Sequence, residues 1–329
     1  MGNRFKRVGR TIVAAGCLTL GACGGDGVEH LASTPPAPVP TTPTSPPPVR
    51  IFSSPTAGEY TSVGASIAGP GGNLDTYDSA AARFGTVSTA EADQARIRYN
   101  SAGYYEIDLP GADWDRLVHY KGTVDPHPDS NYFQPSNVPQ NQAYLVTSNS
   151  RDKGFLYSEL GSWGSASASR LGYVAFGQAT PTGGVPSVGS ATYSGMAVGS
   201  ADIMTADNLY GGYVPLGLEG TVELNFNFGS GTLGGSMSLS FPDGMNPAQL
   251  GTFTFRDTVF SAGSTTYSGS FNTAASGQNF FLGRFTGPAA EETIGAWALP
   301  FVFNRGGETL SPDGQTHQAF GSWIAKRGN

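Results

Sequence analysis

The chain has 329 residues, with 18 Lys and Arg against 25 Asp and Glu, and a formal net charge of −7 at pH 7. This acidic balance, without any run of basic residues, argues against nucleic acid and against anionic membrane surfaces as partners. The chain holds only two cysteines, Cys17 and Cys23, so a disulfide-stapled scaffold is not indicated.

The first 22 residues have the pattern of a bacterial signal peptide. Four basic residues in the first ten precede the apolar run TIVAAGCLTL. That run is too short for a transmembrane helix, which needs about 20 residues, but it suits a secretory h-region. Residues 20–23, LGAC, resemble the lipobox of bacterial lipoproteins, which implies cleavage before Cys23 and a lipid such as palmitate on Cys23. The alternative is an ordinary secretion signal with an incidental cysteine.

Removal of residues 1–22 changes what the rest of the chain can do. Four basic residues and no acid are lost, which takes the net charge from −7 to −11. With Cys17 removed and Cys23 acylated, no thiol is left for a disulfide, a nucleophile or a metal site. Residues 23–49 form a Pro-rich linker, with eight prolines between Ser33 and Val49. Such a linker favours polyproline II and would span up to about 80 Å.

Residues 50–160 predict an irregular β subdomain. Strand patterns occur at 95–100, 104–110, 143–149 and 154–160, and a long loop rich in Pro, Asn, Asp and Gln is predicted at about 123–142. A soft domain boundary is placed near Gly161.

Residues 161–329 predict an antiparallel up-and-down β-barrel of about eight strands. In GTVELNFNF (220–228) apolar and polar residues alternate, a GSG turn follows, and the alternation resumes at 236–241. Period two on both sides of a short glycine turn indicates a β-hairpin. Similar runs follow at 251–260, 265–271, 279–287, 295–303 and 318–325, with further runs upstream at 171–178 and 190–199. The phrase TYSG occurs twice, at 192–195 and 266–269.

The stretch FLGRFTGPAAEETIGAW (281–297), together with the leader and the glycine-rich barrel pattern, resembles the barrel domain of transferrin-binding protein B and related Gram-negative surface lipoproteins. The residues that match the family pattern are Gly283, Phe285, Gly287, Pro288, Ala290, Glu291, Glu292 and Gly295, whereas Ala296 replaces a second glycine that the family often has. The resemblance implies a single lobe, a handle followed by an eight-stranded barrel. None of the family's transferrin-contact residues can be assigned to positions of this chain. Because Gly24 follows Cys23 where Asp would signal inner-membrane retention, the resemblance also implies the outer membrane and, by family, the cell surface; a periplasmic orientation remains open.

Glu291 and Glu292 raise the question of catalysis. Adjacent strand residues point to opposite faces, so the two carboxylates cannot easily flank one substrate. The flanking Gly-Pro and Gly indicate a turn, where we expect the glutamates to accept backbone N–H bonds and close the barrel end. An architectural role is preferred over ligand contact or catalysis.

No other constellation indicates an enzyme, a cofactor or a metal site. The histidines His30, His119, His127 and His317 lack metal-ligand spacing, and HPD at 127–129 is better explained by turns. There is no G-x-S-x-G, phosphate loop or dinucleotide fingerprint. Six aromatic residues at alternating strand positions are predicted to be core: Phe226, Phe228, Phe253, Phe255, Trp297 and Trp323.

Four aromatic residues in predicted loops are candidate contacts for a protein partner: Tyr120, Tyr132, Phe133 and Tyr210. The sequence therefore favours a non-enzymatic, lipid-anchored binding module for a macromolecule or a nutrient carrier of the iron or haem type. Two alternatives stay open, a lipocalin-like binder of a small apolar ligand and a structural envelope lipoprotein without a specific ligand.

Overall fold

A computed structural model describes residues 55–69, 77–78, 81–119, 131–138, 142–148, 150–206, 212–242, 248–303 and 314–328. Within these ranges the chain forms seventeen β-strands and two short 3₁₀ helices, Glu91–Asp93 and Ser150–Lys153. None of the described helices has the length and apolar character to cross a membrane. The predicted signal peptide and linker, with Cys23, lie outside the described residues.

Nine strands form the first sheet, which is antiparallel throughout. They are β1 (Gly58–Glu59), β2 (Thr61–Ala68), β3 (Arg96–Tyr99), β4 (Tyr105–Asp108), β5 (Asp115–His119), β6 (Asn131–Pro135), β7 (Ala143–Thr147), β8 (Ser158–Ser165) and β9 (Arg170–Gly177). Their order in the sheet is β1-β3-β4-β5-β6-β7-β8-β9-β2. The sheet curls around its own small core, built from Tyr60, Ile97, Ile107, Leu145, Trp163 and Phe176 among others. This is the irregular, handle-like β subdomain that the sequence predicts.

Eight strands form a closed barrel in which neighbours in sequence are neighbours in space. They are β10 (Ser190–Ala206), β11 (Tyr213–Asn227), β12 (Thr232–Phe241), β13 (Ala248–Val259), β14 (Thr266–Phe271), β15 (Phe280–Thr286), β16 (Glu292–Val302) and β17 (Thr316–Arg327). All pairs are antiparallel, and β10 pairs with β17 to close the barrel. The predicted fold class, an irregular β subdomain followed by an up-and-down barrel of about eight strands, is confirmed.

The alternation in β11 and β12 decides which side chains enter the barrel. Val222, Leu224 and Phe226 are buried, whereas Glu223 and Asn225 between them are exposed. Because strand residues alternate between the two faces of a sheet, this pattern fixes the register as well as the inward face. The predicted 220–241 hairpin is confirmed, with Asn227 opposite Thr232 at its turn.

One flank of the barrel carries the first sheet. Val63, Ala65 and Ile67 of β2 share a buried cluster with the outward-facing Ile294 of β16 and Phe320 of β17. Strand β16 is therefore covered on both faces, and every one of its residues except Val302 is buried. A strand buried on both sides is apolar at consecutive positions, as in AWALPF (296–301). The alternation expected at 295–303 is therefore not found there.

Two segments differ from their sequence-based assignment. LGYVAFGQ (171–178), counted among the barrel strands, forms β9 of the first sheet, where it pairs with β8 and β2. The segment 123–142, expected to be one irregular loop, contains strand β6. The change from one sheet to the other falls between Gly177 and Ser190, and Gly161 lies within β8.

Candidate functional site

Aromatic rings fill the inside of the barrel. Phe226 lies at their centre, with ring centroids 5.5 Å from Tyr193, 5.0 Å from Tyr267 and 4.8 Å from Phe285. Of the predicted core aromatics, Phe226, Phe228, Trp297 and Trp323 are fully buried, and Phe253 and Phe255 are half-buried against the same cluster. Side chains thus occupy the space in which a lipocalin-like ligand would lie.

The family motif forms the joint between the barrel and the first sheet. Its turn connects β15 to β16, with Gly287 at φ +84° and Ala290 at φ +55°. The Gly287 amide donates to the Gln178 carbonyl at 2.9 Å, and the Thr180 hydroxyl donates to the Gly287 carbonyl at 2.8 Å. The turn is therefore tied to the segment that follows β9.

The two adjacent glutamates make different contacts. Glu292 is 3% exposed, and its carboxylate accepts the backbone N–H groups of Leu156 at 2.6 Å and Tyr157 at 3.1 Å, just before β8. Glu291 accepts the N–H of Ala289 at 2.8 Å within its own turn. The two carboxylates therefore bind backbone groups in different segments of the chain.

Burial changes the acidity of Glu292. Desolvation raises the pKa of its carboxyl to about 7, although the hydrogen bonds from Leu156 and Tyr157 oppose the rise. Burial also raises the pKa of Glu159, whose carboxylate accepts the Ser150 hydroxyl at 2.6 Å and the Ser150 amide at 3.2 Å. Both glutamates are thus buried carboxyls whose proton affinity exceeds that of a solvated one.

Two motif glycines give room to aromatic rings inside the barrel. A Cβ on Gly283 would overlap the ring of Tyr267, and a Cβ on Gly295 would overlap the indole of Trp323. Phe285 points inward and packs on Phe226. These three positions therefore shape the barrel interior, since any side chain at either glycine would displace a buried ring.

The last strand closes over the same turn. Arg327 of β17 donates through Nη2 to the carbonyls of Ala289 at 2.8 Å and Ala290 at 2.9 Å, and its guanidinium also donates to the Tyr193 hydroxyl at 3.3 Å. The Tyr193 hydroxyl in turn donates to the Ala290 carbonyl. Sequence reasoning missed both residues. The first TYSG copy was the available signal, because it puts a tyrosine hydroxyl inside an apolar strand.

A buried ionisable pair lies toward the other end of the barrel. His317 Nδ1 and Asp202 Oδ1 are 2.9 Å apart, and both side chains are less than 5% exposed. The backbone N–H of Gln318 also donates to Asp202 Oδ1, and the Phe301 ring stacks on the His317 imidazole. No group of three or more His, Cys, Asp or Glu side chains that could hold a metal occurs among the described residues.

The outer face of β3 and β5, with the residues directly before β4 and β5, combines arginines with aromatic rings. We define the aromatic–arginine face as Arg96, Arg98, Tyr104, Trp114 and Arg116. The Arg98 guanidinium lies 4.3 Å from the centre of the Trp114 ring, and that of Arg116 lies 4.8 Å from the centre of the Tyr104 ring. Two of the arginines are paired with acidic side chains: Arg96 forms a salt bridge with Asp108, and Arg98 forms one with Glu106.

Sequence reasoning did not identify this face. Its signal was the alternation of RIR (96–98), YYEID (104–108) and WDR (114–116), in which one face of each strand carries only charged or aromatic residues. Tryptophan, tyrosine and arginine are the residues most enriched in the energetic centres of protein interfaces.

The predicted partner contacts fall in different places. Tyr120 and Tyr210 lie outside the described residues, as do His30 and His127. Tyr132 and Phe133, assigned to a loop, lie in β6: Tyr132 stacks on Tyr144 at 5.9 Å, and Phe133 packs against the core of the first sheet. The loop assignment was wrong because NYFQP is a five-residue strand that ends at a proline, too short to display a period.

No known family model matches the chain, and no curated protein matches it significantly. Solved structures do match. Transferrin-binding protein B of Haemophilus parasuis is 17% identical over 81% of this chain and 44% of its own, with a TM-score of 0.41. The isotype 1 protein of Neisseria meningitidis is 14% identical over 82% of this chain and 43% of its own, with a TM-score of 0.42. The chain spans less than half the length of these two proteins.

Another solved structure matches over most of both chains. HpuA of Kingella denitrificans, solved in complex with human haemoglobin, is 17% identical over 88% of this chain and 93% of its own, with a TM-score of 0.39. The first two structures carry the name of the family that the motif at 283–295 resembles. At this level of similarity the fold assignment rests on the strands and register of the chain itself.

Proposed function

We propose that the chain is a lipid-anchored outer-membrane binding protein whose partner is a macromolecule, and that binding takes place on the outside of the fold. The observation that carries the proposal is the aromatic–arginine face of the first sheet. It offers Arg116 on β5, with Tyr104 and Trp114 directly before β4 and β5, where a partner could bury them together.

The packed interior of the barrel supports a binding site on the outside of the fold. Its interior is packed with phenylalanine, tyrosine and tryptophan rings, so a small apolar ligand would have to displace core side chains. Displacing well-packed core rings costs several kcal/mol, about as much as deleting one. The lipocalin-like alternative is therefore the weaker one, and the barrel serves as a rigid support.

Anchoring is proposed from the leader sequence. LGAC at 20–23 would place a lipid on Cys23, and the Pro-rich segment to Val49 would hold the folded part away from the bilayer. Labelling cells with a palmitate analogue tests this: the wild-type protein should carry label and sediment with membranes. Cys23→Ser should lose the label, whereas Cys17→Ser should keep it.

The partner class is proposed from the family that the barrel motif resembles: a host protein that carries iron or haem. To test it, residues 45–329, which contain every described strand and form one compact unit, are immobilised and exposed separately to transferrin, haemoglobin and serum albumin. One carrier should bind saturably. Tyr104→Ala with Arg116→Ala should weaken that binding about thirtyfold or more, because central aromatic and arginine contacts contribute more than about 1 kcal/mol each.

The matched control is Arg256→Ala, which removes an exposed arginine from barrel strand β13. This variant should bind like the wild type. Binding of a carrier that is unaffected by the Tyr104/Arg116 variant would move the site elsewhere. Absence of carrier binding by a folded protein would reject the iron-carrier class and leave a small ligand, another nutrient or the structural envelope role.

A further inference from the structure

A small pocket opens at the end of the first sheet, between the β4–β5 turn and the segment after β6. Its volume is about 230 Å³. That is below the roughly 300–1,000 Å³ of pockets that hold whole small-molecule ligands, and so suits a single side chain. The walls are mostly apolar and come from Ile107, Leu109, Trp114, Pro135, Val138 and Ala143.

The rim of the pocket is acidic. Asp113 is exposed, and Asp115 accepts hydrogen bonds from the Ser136 hydroxyl at 2.8 Å and from the Asn137 side-chain amide at 2.7 Å. Among the described residues, neither carboxylate has a cationic group within salt-bridge distance. The nearby Arg96 and Arg98 are already paired with Asp108 and Glu106, so they do not neutralise the rim.

Trp114 connects the pocket with the aromatic–arginine face. Its ring lines the pocket and is also approached by two guanidinium groups, Arg98 at 4.3 Å and Arg96 at 5.3 Å from the ring centre. An indole is the aromatic side chain that attracts cations most strongly. An apolar channel with an indole wall and an anionic rim fits a side chain that has an alkyl stem and a cationic head.

We propose that this pocket receives a lysine side chain of a partner protein, with its methylene stem against Ile107, Leu109 and Val138 and its ammonium group at Asp113 and Asp115. The inference rests on the proposed function only in assigning the lysine to a protein partner. The preference of the pocket for an alkylammonium group can be measured without any partner.

Tryptophan fluorescence gives a direct readout. Of the four tryptophans, Trp163, Trp297 and Trp323 are fully buried, so Trp114 is the one that a small solute can reach. Residues 45–329 are titrated with n-butylammonium, which reproduces a lysine side chain, and in parallel with 1-butanol and butyrate. Butylammonium should produce a saturable change that Trp114→Phe abolishes. It should bind about threefold more tightly than butanol, since one exposed charge pair contributes roughly 0.2–1 kcal/mol, and butyrate should bind most weakly.

Two variants separate charge from shape. Asp113→Asn should bring butylammonium binding close to that of butanol, whereas Asp152→Asn, the same change at an exposed site on the second 3₁₀ helix, should leave the preference intact. Ala112→Phe, an exposed lining residue on the β4–β5 turn, should block all three solutes. The indole N–H signals in a ¹H–¹⁵N NMR spectrum check the result independently, because only the Trp114 signal should move.

Equal binding of butylammonium and butanol, an unchanged preference in Asp113→Asn, or an unmoved Trp114 indole signal would each overturn the proposal. The carrier-binding experiment and the alkylammonium experiment can each fail without the other. Alkylammonium binding without any carrier binding would retain the pocket and reject the carrier class. Carrier binding that is insensitive to Asp113→Asn and Ala112→Phe would retain the carrier and reject the lysine pocket.

Discussion

The first sheet and the barrel use the same antiparallel pairing in different ways. Barrel strands run from 6 to 17 residues and enclose a large cluster of aromatic and aliphatic side chains, whereas strands of the first sheet have 2 to 8 residues around a smaller core. Both regions bury ionisable groups, Glu106 and Glu159 in the first sheet and Asp202, Glu292 and His317 in the barrel. The ion pairs Arg96–Asp108 and Arg98–Glu106 lie on the outer face of the first sheet. The comparison suggests a division of labour in which the barrel supplies stability and the first sheet supplies the binding surface.

The largest expected effect comes from the barrel core. Phe226→Ala removes a ring that contacts Tyr193, Phe260, Tyr267 and Phe285, and should lower the free energy of unfolding by about 3–5 kcal/mol. Phe133→Ala in the first sheet, where the ring is only half-buried, should cost clearly less. Urea denaturation of both variants measures the difference. Equal losses would contradict the division of labour.

The next largest effect is a pH dependence of the free energy of unfolding, caused by Glu292 at the joint between the barrel and the first sheet. The pKa of Glu292 is about 7 in the folded chain, against an ordinary value of 4.5 in the unfolded chain, so the folded state binds the extra proton between these values. Stability from this group is therefore complete below pH 4.5 and is lost as the pH rises through 7, by about 3 kcal/mol in all. Denaturation midpoints between pH 5 and 8 should fall, and Glu292→Gln should flatten the slope. Some slope should remain, because Glu159 has a pKa shifted in the same direction. A slope that is unchanged in Glu292→Gln would assign the effect to other groups.

The sequence predicted some strands better than others, and the reason is how each strand is buried. The barrel was readable because GTVELNFNF buries one face only, so burial appears as alternation. The strand at 171–178 was assigned to the wrong sheet because the apolar pattern of LGYVAFGQ would be the same in either sheet. The spacing of apolar residues does not show which strands pair with each other. Leu156 and Tyr157 as partners of Glu292 could not be predicted, because their contact is made by backbone N–H groups 135 or more residues away.

Removing the Glu292 carboxyl group at one pH should lower the free energy of unfolding by less than the full pH titration does. Glu292→Ala at pH 6 leaves the amides of Leu156 and Tyr157 without their acceptor, at a cost of about 1–3 kcal/mol. Glu291→Ala is the matched control: it removes one hydrogen bond in a partly exposed turn and should cost less than about 1 kcal/mol. Hydrogen exchange would locate the loss, with faster exchange at 155–160 in the first variant only. Similar behaviour of the two variants would mean that the joint does not depend on the buried Glu292 side chain.

Arg116→Ala should have the smallest effect on stability and a clear effect on binding. Arg116 is exposed, and its guanidinium contacts the ring of Tyr104 rather than a buried acid. Arg116→Ala should therefore change the free energy of unfolding by less than about 0.5 kcal/mol, as expected for a surface substitution. The same variant should weaken binding of the carrier protein, because an arginine at the centre of an interface is desolvated only in the complex. Denaturation and surface plasmon resonance on one preparation measure both quantities. A large loss of stability would show that the face supports the fold of the first sheet, and that its aromatic and arginine side chains are there for packing rather than for a partner.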